Sequence, residues 1–503
     1  MRIANLLGAA ALLALGAGVA QAQDFRIGLQ EDPDILDPDQ SRTFVGRIVY
    51  ASMCDKLVDI TPELEIVPML ATGWEWNEDG TELTMTLRDD VVFHDGTPFN
   101  AEAVAANIDR SKNLETSRRK SEVRSIESWE VVDDFTIKLG VSAPDATLIA
   151  QFADRSGMML SPTAFAEAGE DFGLNPVCAG PFKFVERVQQ DRIVLEKFAD
   201  YYRADEISFD TVTFLPIPDT TVRLANLRAG DLDMLERLAA TDVTSVKADA
   251  GLTLEQATSL GYQGMTINVG NGDRSENPLG QNSAVRKALS LSIDRSALNQ
   301  VVFEGAFAPG NQPYSPASPW YNADFPVPER DIDAAKELLS EAGFADGVTI
   351  EVQVTNNPVQ TQVMQVVQSM AAEAGIKIEL AAKEFATLLA DQSAGDYTAS
   401  QIGWSGRVDP DGNIHQFMTT EGGINDSKYS DPEMDRLLNE ARLSTDPEVR
   451  KTSYSAAIAL QQEDMPVVYL YHPVWIWALD DSVSGFTPYP DGMIRLQGVS
   501  VTE

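Results

Sequence analysis

Histidine and cysteine, on which many enzyme sites depend, are scarce in this sequence. Its 503 residues include three histidines, His94, His415 and His472, far apart along the chain, and two cysteines. A three-histidine metal site would need all three histidines to converge, so we expect neither a metal centre nor a cofactor. The sequence also lacks the G-x-S-x-G, G-x-x-x-x-G-K-[ST] and H-E-x-x-H motifs. It therefore indicates recognition chemistry more than reaction chemistry.

Positive charge is also in short supply. Lys and Arg total 38 against 77 Asp and Glu, which gives a formal net charge of −39. Such a field repels nucleic acids and anionic lipid surfaces, so neither is expected as a partner. A negative surface also keeps an exported protein soluble. Because carboxylates are so numerous, no pair stands out, and a secreted hydrolase with a pair of catalytic carboxylates stays open as an alternative.

Long apolar runs are missing beyond the first residues. The chain starts M-R-I-A-N, continues through an almost uncharged run from Leu6 to Ala20, and reaches A-Q-A at residues 20–22. A basic start, a short apolar segment and an A-x-A site predict a secretory signal peptide over residues 1–22, with Gln23 first in the mature protein. The residue directly after the cleavage site is Gln23 and not Cys, so we do not expect a lipoprotein anchor. The mature protein is predicted to be exported and soluble.

The two cysteines, Cys54 and Cys178, both lie after the predicted cleavage site. An even pair in an oxidising compartment favours one disulfide over two buried free thiols, which is the alternative. It would close a loop of more than about 120 residues, for which the chain-entropy model gives roughly 4–5 kcal/mol of stabilisation.

The mature chain, about 480 residues, is longer than a single core usually allows, so two or more lobes are expected. Val348 to Thr355 reads as a strand, Thr361 to Ala374 as a helix and Ile376 to Leu380 as another strand. This order predicts a βαβ unit in a parallel or mixed sheet. No repeat or flexible linker is evident, so short crossing strands should join the lobes.

Three further patterns make specific structural predictions. Ala284 to Gln300 has apolar residues at helical spacing and predicts one long helix, and Asp333 is predicted to cap another. The aromatic segment from Met465 to Leu479 contains Pro466 and Pro473, which confine it to a broken strand or a sheet edge.

The segment from Ile402 to Met418, I-G-W-S-G-R-V-D-P-D-G-N-I-H-Q-F-M, combines groups suited to a zwitterionic ligand. Trp404 can cover apolar surface, Arg407 can bind a carboxylate and Asp409 can pair with an ammonium. Its glycines allow close approach of the backbone to a ligand. The alternative is a Gly/Pro turn with a core tryptophan and two solvated charges.

Several blocks, standing in order over nearly all of the mature chain, resemble the extracytoplasmic solute-binding proteins of ABC importers, family 5, which bind dipeptides, oligopeptides, nickel and opines. Each block is weak alone, and together they are specific. The blocks are I-L-D-P at 35–38, G-W-E-W at 73–76, L-R-D-D-V-V-F-H-D-G-T-P-F at 87–99, G-P-F-K-F at 180–184, V-R-K-A-L at 285–289 with I-D-R at 293–295, A-K-E-L-L at 335–339 with G-F at 343–344, and G-W at 403–404 with D-P-D at 409–411.

The resemblance implies an α/β fold of the two-lobed periplasmic-binding-protein type, class II, with mixed sheets and the ligand enclosed at the hinge. Lobe I would take residues 23–259 and 480–503, with an extra β-rich subdomain at about 60–185. Lobe II would take residues 260–479. The first lobe would thus be discontinuous in sequence.

The resemblance also assigns roles in the site. In dipeptide-binding relatives a tryptophan covers the ligand and an aspartate pairs with its α-amino group, which implies these roles for Trp404 and Asp409. Relatives bring an arginine to the α-carboxylate from a stretch that here reads V-Q-V-T-N-N, 352–357, without arginine. Arg407 is our hypothesis for that role. The predicted ligand-binding residues are Arg42, Thr43, Gly403, Trp404, Ser405, Arg407 and Asp409.

The implied protein is no enzyme. It would be a monomeric periplasmic component of an ABC importer that captures a short peptide or peptide-like solute and delivers it to a membrane permease and its ATPase. An opine, a glutathione-like compound and a nickel chelate are the alternatives within the family, and the secreted hydrolase is the alternative outside it.

Overall fold

A computed structural model describes residues 23–502; the predicted signal peptide, 1–22, lies outside the described residues. One large sheet, called the first sheet below, has seven strands. The strand Asp24–Leu29 lies near its centre and pairs in parallel with Thr211–Pro216, whereas Arg192–Lys197 pairs antiparallel with the latter. In spatial order the strands are Leu252–Thr258, Val474–Asp480, Met234–Leu235, Asp24–Leu29, Thr211–Pro216, Arg192–Lys197 and Phe182–Val188.

The second sheet has six strands and contains the predicted βαβ unit. Val348–Thr355 and Ile376–Lys383 pair in parallel, and the helix Pro358–Glu373 connects them. This arrangement confirms the predicted βαβ unit, in which a crossover connection joins two parallel neighbouring strands. In spatial order the strands are Ala308–Pro309, Val467–His472, Tyr262–Ile267, Ala399–Trp404, Val348–Thr355 and Ile376–Lys383.

The chain passes between the two sheets twice. Leu252–Thr258 of the first sheet leads directly into Tyr262–Ile267 of the second, and Val467–His472 returns into Val474–Asp480. Pro473 stands alone between the last two strands, which explains the predicted break. Because Val474–Asp480 pairs along its whole length with Leu252–Thr258, the return crossing lies at Pro473 and not at residue 480 as expected.

The β-rich part expected at about 60–185 contains a four-stranded antiparallel sheet. Helix Ala101–Asn113 packs against it and begins at Asn100, whose side chain accepts a hydrogen bond from the Ala103 N–H at 2.9 Å. The four strands are Ala71–Trp76, Glu82–Leu87, Thr136–Val141 and Ile126–Asp133, and Val58–Ile60 pairs with Ile66–Pro68 beside them.

The remaining helices lie on both sides of Tyr262 in sequence. Those that follow Tyr262 are Pro278–Gln281, Ser283–Leu291, Arg295–Phe303, Ile332–Glu341, Phe385–Ala394, Asp411–Met418, Pro432–Leu443 and Pro447–Asp464. Those that precede it are Phe44–Met53, Leu148–Gln151, Pro162–Ala168, Thr220–Ala229 and Val243–Lys247, and a strand pair, Val483–Ser484 with Ser500–Val501, lies near the end of the chain.

The prediction of one long helix from Ala284 to Gln300 is wrong. The structure has two helices, Ser283–Leu291 and Arg295–Phe303. Asp294 caps the second helix and so sets the break: its carboxylate accepts a hydrogen bond from the Ala297 N–H at 2.8 Å. The apolar spacing continues across the break because both helices bury one face in the same core.

The predicted cap at Asp333 is also misplaced. Asp331 caps the helix Ile332–Glu341 by accepting a hydrogen bond from the Ala334 N–H at 2.9 Å, and Asp333 lies in the first turn. Both aspartates suit a helix N-terminus, where the helix dipole favours negative charge. Local sequence therefore identified the helix start only to within a few residues.

The predicted disulfide between Cys54 and Cys178 is confirmed. Cys54 directly follows the helix Phe44–Met53, and both cysteines are buried in the core beneath the first sheet. The bond therefore ties the N-terminal helix to the segment that enters strand Phe182–Val188.

Candidate ligand-binding cleft

A cleft lies between the two large sheets, next to both chain crossings. It contains about 870 Å³ of space, part of it open to solvent. Gln30 and Glu31 follow the strand Asp24–Leu29, Asn357 follows Val348–Thr355, and Ser405 follows Ala399–Trp404. The cleft thus lies at the carboxyl ends of strands, the usual position of ligand sites in α/β sheets.

Arginine dominates the charged lining of this cleft. The charged residues on its walls are Glu31, Arg42, Arg119, Arg155 and Arg237, all before Tyr262. The opposite wall is neutral and consists largely of amides and aromatic or aliphatic side chains. In a chain with a net charge of −39, the cleft lining thus holds more arginines than carboxylates. Arg42, Arg119 and Arg237 have carboxylate partners outside the lining, Asp426, Glu122 and Glu236.

Gly403, Trp404 and Ser405, all predicted ligand residues, lie on the neutral wall. Trp404 ends its strand with 9 % of its surface exposed. Its indole N–H donates to the Asn413 side chain at 3.1 Å, and the Arg407 guanidinium lies 4.0 Å from its ring centroid. The tryptophan is therefore held in a fixed orientation, with one face covered by a cation.

Asn413 organises the turn that follows Trp404, a role not expected from the sequence. Its side-chain oxygen accepts from the Arg407 backbone N–H at 2.7 Å, and its amide donates to the Arg407 carbonyl at 2.9 Å. Gly406 has φ of 86°, and a Cβ there would lie 2.4 Å from the Leu260 carbonyl carbon. The turn thus packs directly on the outgoing crossing and needs glycine.

Arg407 lies between the lobes but is not among the residues that line the cleft. It forms an ion pair with Asp154 of the opposite wall, and Asp154 also accepts from Arg47 at 3.0 Å. Arg47 in turn donates to the Ser405 hydroxyl at 2.9 Å. Burial alone would raise the pKa of Asp154, yet Arg407 and Arg47 hold it well below its ordinary value.

Asp409 also lies away from the cleft lining. Its carboxylate pairs with Arg450 at 2.6 Å in a buried contact. Burial raises the pKa of Asp409 above its ordinary value, and Arg450 acts against this shift. An ammonium partner for Asp409 would have to compete with Arg450, so its predicted role in binding a ligand's amino group stays a prediction without a geometric argument in its favour.

The side chains of Arg42 and Thr43 contact different parts of the molecule. The Arg42 guanidinium reaches the opposite lobe, where it pairs with Asp426 at 2.6 Å and donates to the Ser393 hydroxyl at 2.7 Å. Thr43 is fully buried, and its hydroxyl donates to Asp34 at 2.8 Å. Arg42 therefore lines the cleft and connects its walls, whereas the side chain of Thr43 belongs to its own lobe.

Sequence reasoning missed Glu31, Arg119, Arg155 and Arg237 on the cleft wall. The run R-R-K at 118–120 is unusual in so acidic a chain and could have drawn attention to Arg119. Arg155 and Arg237 stand alone in sequence, and only the fold brings them to the cleft. Burial raises the pKa of Glu31 to about 8, with the nearby Arg237 acting against the shift.

Comparison with known proteins agrees with this architecture. The family model "Bacterial extracellular solute-binding proteins, family 5 Middle" matches residues 65–426. The chain belongs to this family. The predicted resemblance and the two-lobed α/β fold are confirmed.

Relatives with described ligands match over nearly the full chain. The glutathione-binding protein GsiB of Pectobacterium atrosepticum is 27 % identical, with 96 % of this chain and 95 % of that protein covered, and GsiB of Salmonella typhi is 28 % identical, with 96 % of each covered. The structure of the periplasmic binding protein AgaA of A. tumefaciens R10 in complex with agropinic acid superposes with a TM-score of 0.86 at 26 % identity, covering 95 % of this chain and 99 % of that one.

Among residues 23–502, no helix combines the length and the apolar character needed to cross a membrane. The same range holds no group of three His, Cys, Asp or Glu side chains placed to share a metal ion.

Proposed function

We propose that this chain is the solute-binding component of an ABC importer that captures a small peptide-like acid between its lobes and delivers it to a membrane permease. The observation that carries the proposal is the composition of the cleft lining, in which four arginines and one glutamate face a neutral wall. Such a lining suits a ligand with one or more carboxylates and a peptide-like body that amide side chains can recognise.

Contacts between the walls support a closing mechanism. Arg42 with Asp426, Arg47 with Ser405, and Arg407 with Asp154 all connect residues on opposite sides of the cleft. A ligand that touches both walls favours the closed arrangement over the open one, because it binds that arrangement more tightly. The closed form is then the one offered to the permease.

The relatives support the choice of ligand class. GsiB is named for glutathione and AgaA was solved with agropinic acid, and both ligands are acids derived from amino acids. A glutathione-like or opine-like acid therefore agrees with the arginine-rich cleft better than a neutral dipeptide does. The uncharged stretch at 352–357, where an arginine was expected, points the same way: positive charge lies on the opposite wall.

Mass spectrometry of compounds released from the natively exported protein tests this function. We expect a small acid at close to one equivalent, and calorimetry with glutathione, an opine and Met-Leu should rank the first two above the third. Hydrolysis of a sugar or ester substrate, with no tightly bound solute, would refute the proposal in favour of the secreted hydrolase.

The same preparation tests the remaining expectations. Export predicts that the mature protein begins at Gln23, which N-terminal sequencing checks. A monomer is expected in light scattering with and without solute. Deletion of the coding sequence should abolish uptake of the released acid by whole cells, and unchanged uptake would separate binding from transport.

A further inference from the structure

Arg155 is a buried cation without a carboxylate partner. Its side chain is almost entirely enclosed, with 2 % of the residue exposed, and among residues 23–502 no Asp or Glu forms an ion pair with it. One of its nitrogens, Nη2, donates to the Thr43 carbonyl at 2.6 Å. Its Nε and Nη1 have no hydrogen-bond partner, although the residue lines the cleft.

Arg295 shows how the same fold treats a buried arginine that serves structure alone. It is equally enclosed and also has no ion pair in the described part of the chain. Its guanidinium, however, is surrounded by acceptors: Nε meets the Gly310 and Tyr469 carbonyls, and Nη2 meets the Ser290 hydroxyl. A buried donor without an acceptor destabilises the folded state, and more so when it is charged. Arg155 carries this cost and Arg295 does not.

The neighbourhood of Arg155 has more positive than negative charge. Arg119 has an unpartnered Nε beside the same cleft, and its Nη1 is paired with Glu122. Arg47 and Arg407 share Asp154. Four guanidinium groups therefore face two carboxylates, an excess of two positive charges. Proximity to Arg119 adds to burial in lowering the pKa of Arg155 to about 10, as expected where cations crowd.

We propose that Arg155 and Arg119 form a subsite for one carboxylate of the solute. When the lobes close, this carboxylate accepts hydrogen bonds from the unpartnered guanidinium donors on the arginine-bearing wall of the cleft. This inference rests on the proposed function and names the group that is recognised. A carboxylate has the planar, two-oxygen shape that a guanidinium binds best. Its charge also reduces the positive excess, so a free acid stabilises the closed cleft and a blocked acid does not.

Pairs of free and blocked acids test the subsite. Glutathione and its esters, and Met-Leu with its C-terminal amide, are measured by calorimetry against the wild-type protein. We expect blocking one particular carboxylate to weaken binding at least about 30-fold, the lower end of the range for a lost buried charge pair. Arg155→Gln should weaken the free acid to a similar extent and leave the blocked acid unaffected, so that the preference between the two disappears.

Further variants separate recognition from folding. Arg155→Lys keeps the charge without the planar fork and should retain part of the preference. Arg436→Gln removes an exposed arginine of helix Pro432–Leu443 and should change nothing. Thermal unfolding of each variant establishes that it is folded. A merely structural role of Arg155 would lower stability without changing the preference for free acid over blocked acid.

Each outcome bears on a different claim. A folded Arg155→Gln protein that still prefers the free acid, or a wild-type protein that binds free and blocked acids equally, overturns the subsite and leaves the proposed function intact. Failure of the wild type to bind any of these acids, together with release of a solute that has no carboxylate, overturns both.

Discussion

Replacement of Asp154 with asparagine should strongly destabilise this protein. Asp154 is the carboxylate shared by Arg47 and Arg407, and all three side chains are at most 10 % exposed. Asparagine keeps the shape, and its side-chain oxygen can still accept the Arg155 backbone N–H that Asp154 accepts at 2.7 Å. The substitution therefore removes the charge with little change in packing.

The magnitude follows from the burial of the partners. Removing one member of a buried ion pair typically costs about 3–5 kcal/mol, because the other charge stays buried without compensation. Here two guanidinium groups lose the carboxylate that they share. The neighbouring Arg155 has no carboxylate partner of its own that could compensate for the loss. We expect a decrease of about 3–5 kcal/mol in the free energy of unfolding, toward the upper end if Arg407 cannot reach solvent.

Urea denaturation at neutral pH measures this change. Asp90→Asn is the matched control, since Asp90 pairs with Arg88 in an exposed contact, and surface pairs contribute about 0–1 kcal/mol. The pKa of Asp154 lies below its ordinary value, so its contribution is present above about pH 4 and is lost as pH falls through the lower, folded-state pKa. An Asp154→Asn protein as stable as the Asp90→Asn control would refute the account of the arginine cluster.

Three further predictions concern other parts of the fold. Replacing Cys54 and Cys178, 124 residues apart, with serine should lower the free energy of unfolding by roughly 4–5 kcal/mol; chemical denaturation checks this, and a loss below about 1 kcal/mol contradicts it. Gly406→Ala should lower the melting temperature more than Gly272→Ala, because a Cβ meets backbone at 2.4 Å only at the first of these positive-φ glycines; equal losses would show that φ alone matters. Burial lowers the pKa of His472 to about 4, so the unfolded chain binds more protons between about pH 6.5 and 4 and the wild type loses stability as pH falls through that window. Urea denaturation at several pH values measures this loss. Over the same pH window, the free energy of unfolding of His472→Gln should fall by up to roughly 3 kcal/mol less than that of the wild type. Parallel pH curves would argue against a neutral buried imidazole.

Much of the architecture was predictable because it depends on local pattern. Strand–helix–strand periodicity identified the βαβ unit, and Pro473 marked the break that proved to be a sheet change. Errors arose where two local signals competed: Asp294 divides a helix whose apolar spacing continues past it, and Asp331 caps in place of Asp333. In both cases a side-chain oxygen that meets a specific backbone N–H decides the boundary.

The residues that line the cleft were predictable only in part. Trp404, Gly403, Ser405 and Arg42 do line the cleft, while Asp409 is occupied by Arg450. A carboxylate's availability to a ligand depends on which cation the fold places beside it, and the partner of Asp409 comes from a helix that begins at Pro447. Sequence near Asp409 carries no trace of that pairing.

The sequence by itself was enough to predict the family, the two-lobed α/β class and the disulfide, because short motifs standing in order carry the family resemblance and an even pair of cysteines favours a bond. Tertiary structure alone decided the charge of the cleft. Its arginines come from separate parts of the chain, and whether a guanidinium is neutralised or left open to a ligand depends on contacts between distant residues. Arg155 and Arg295 are alike in sequence terms and differ only in the acceptors that the fold provides.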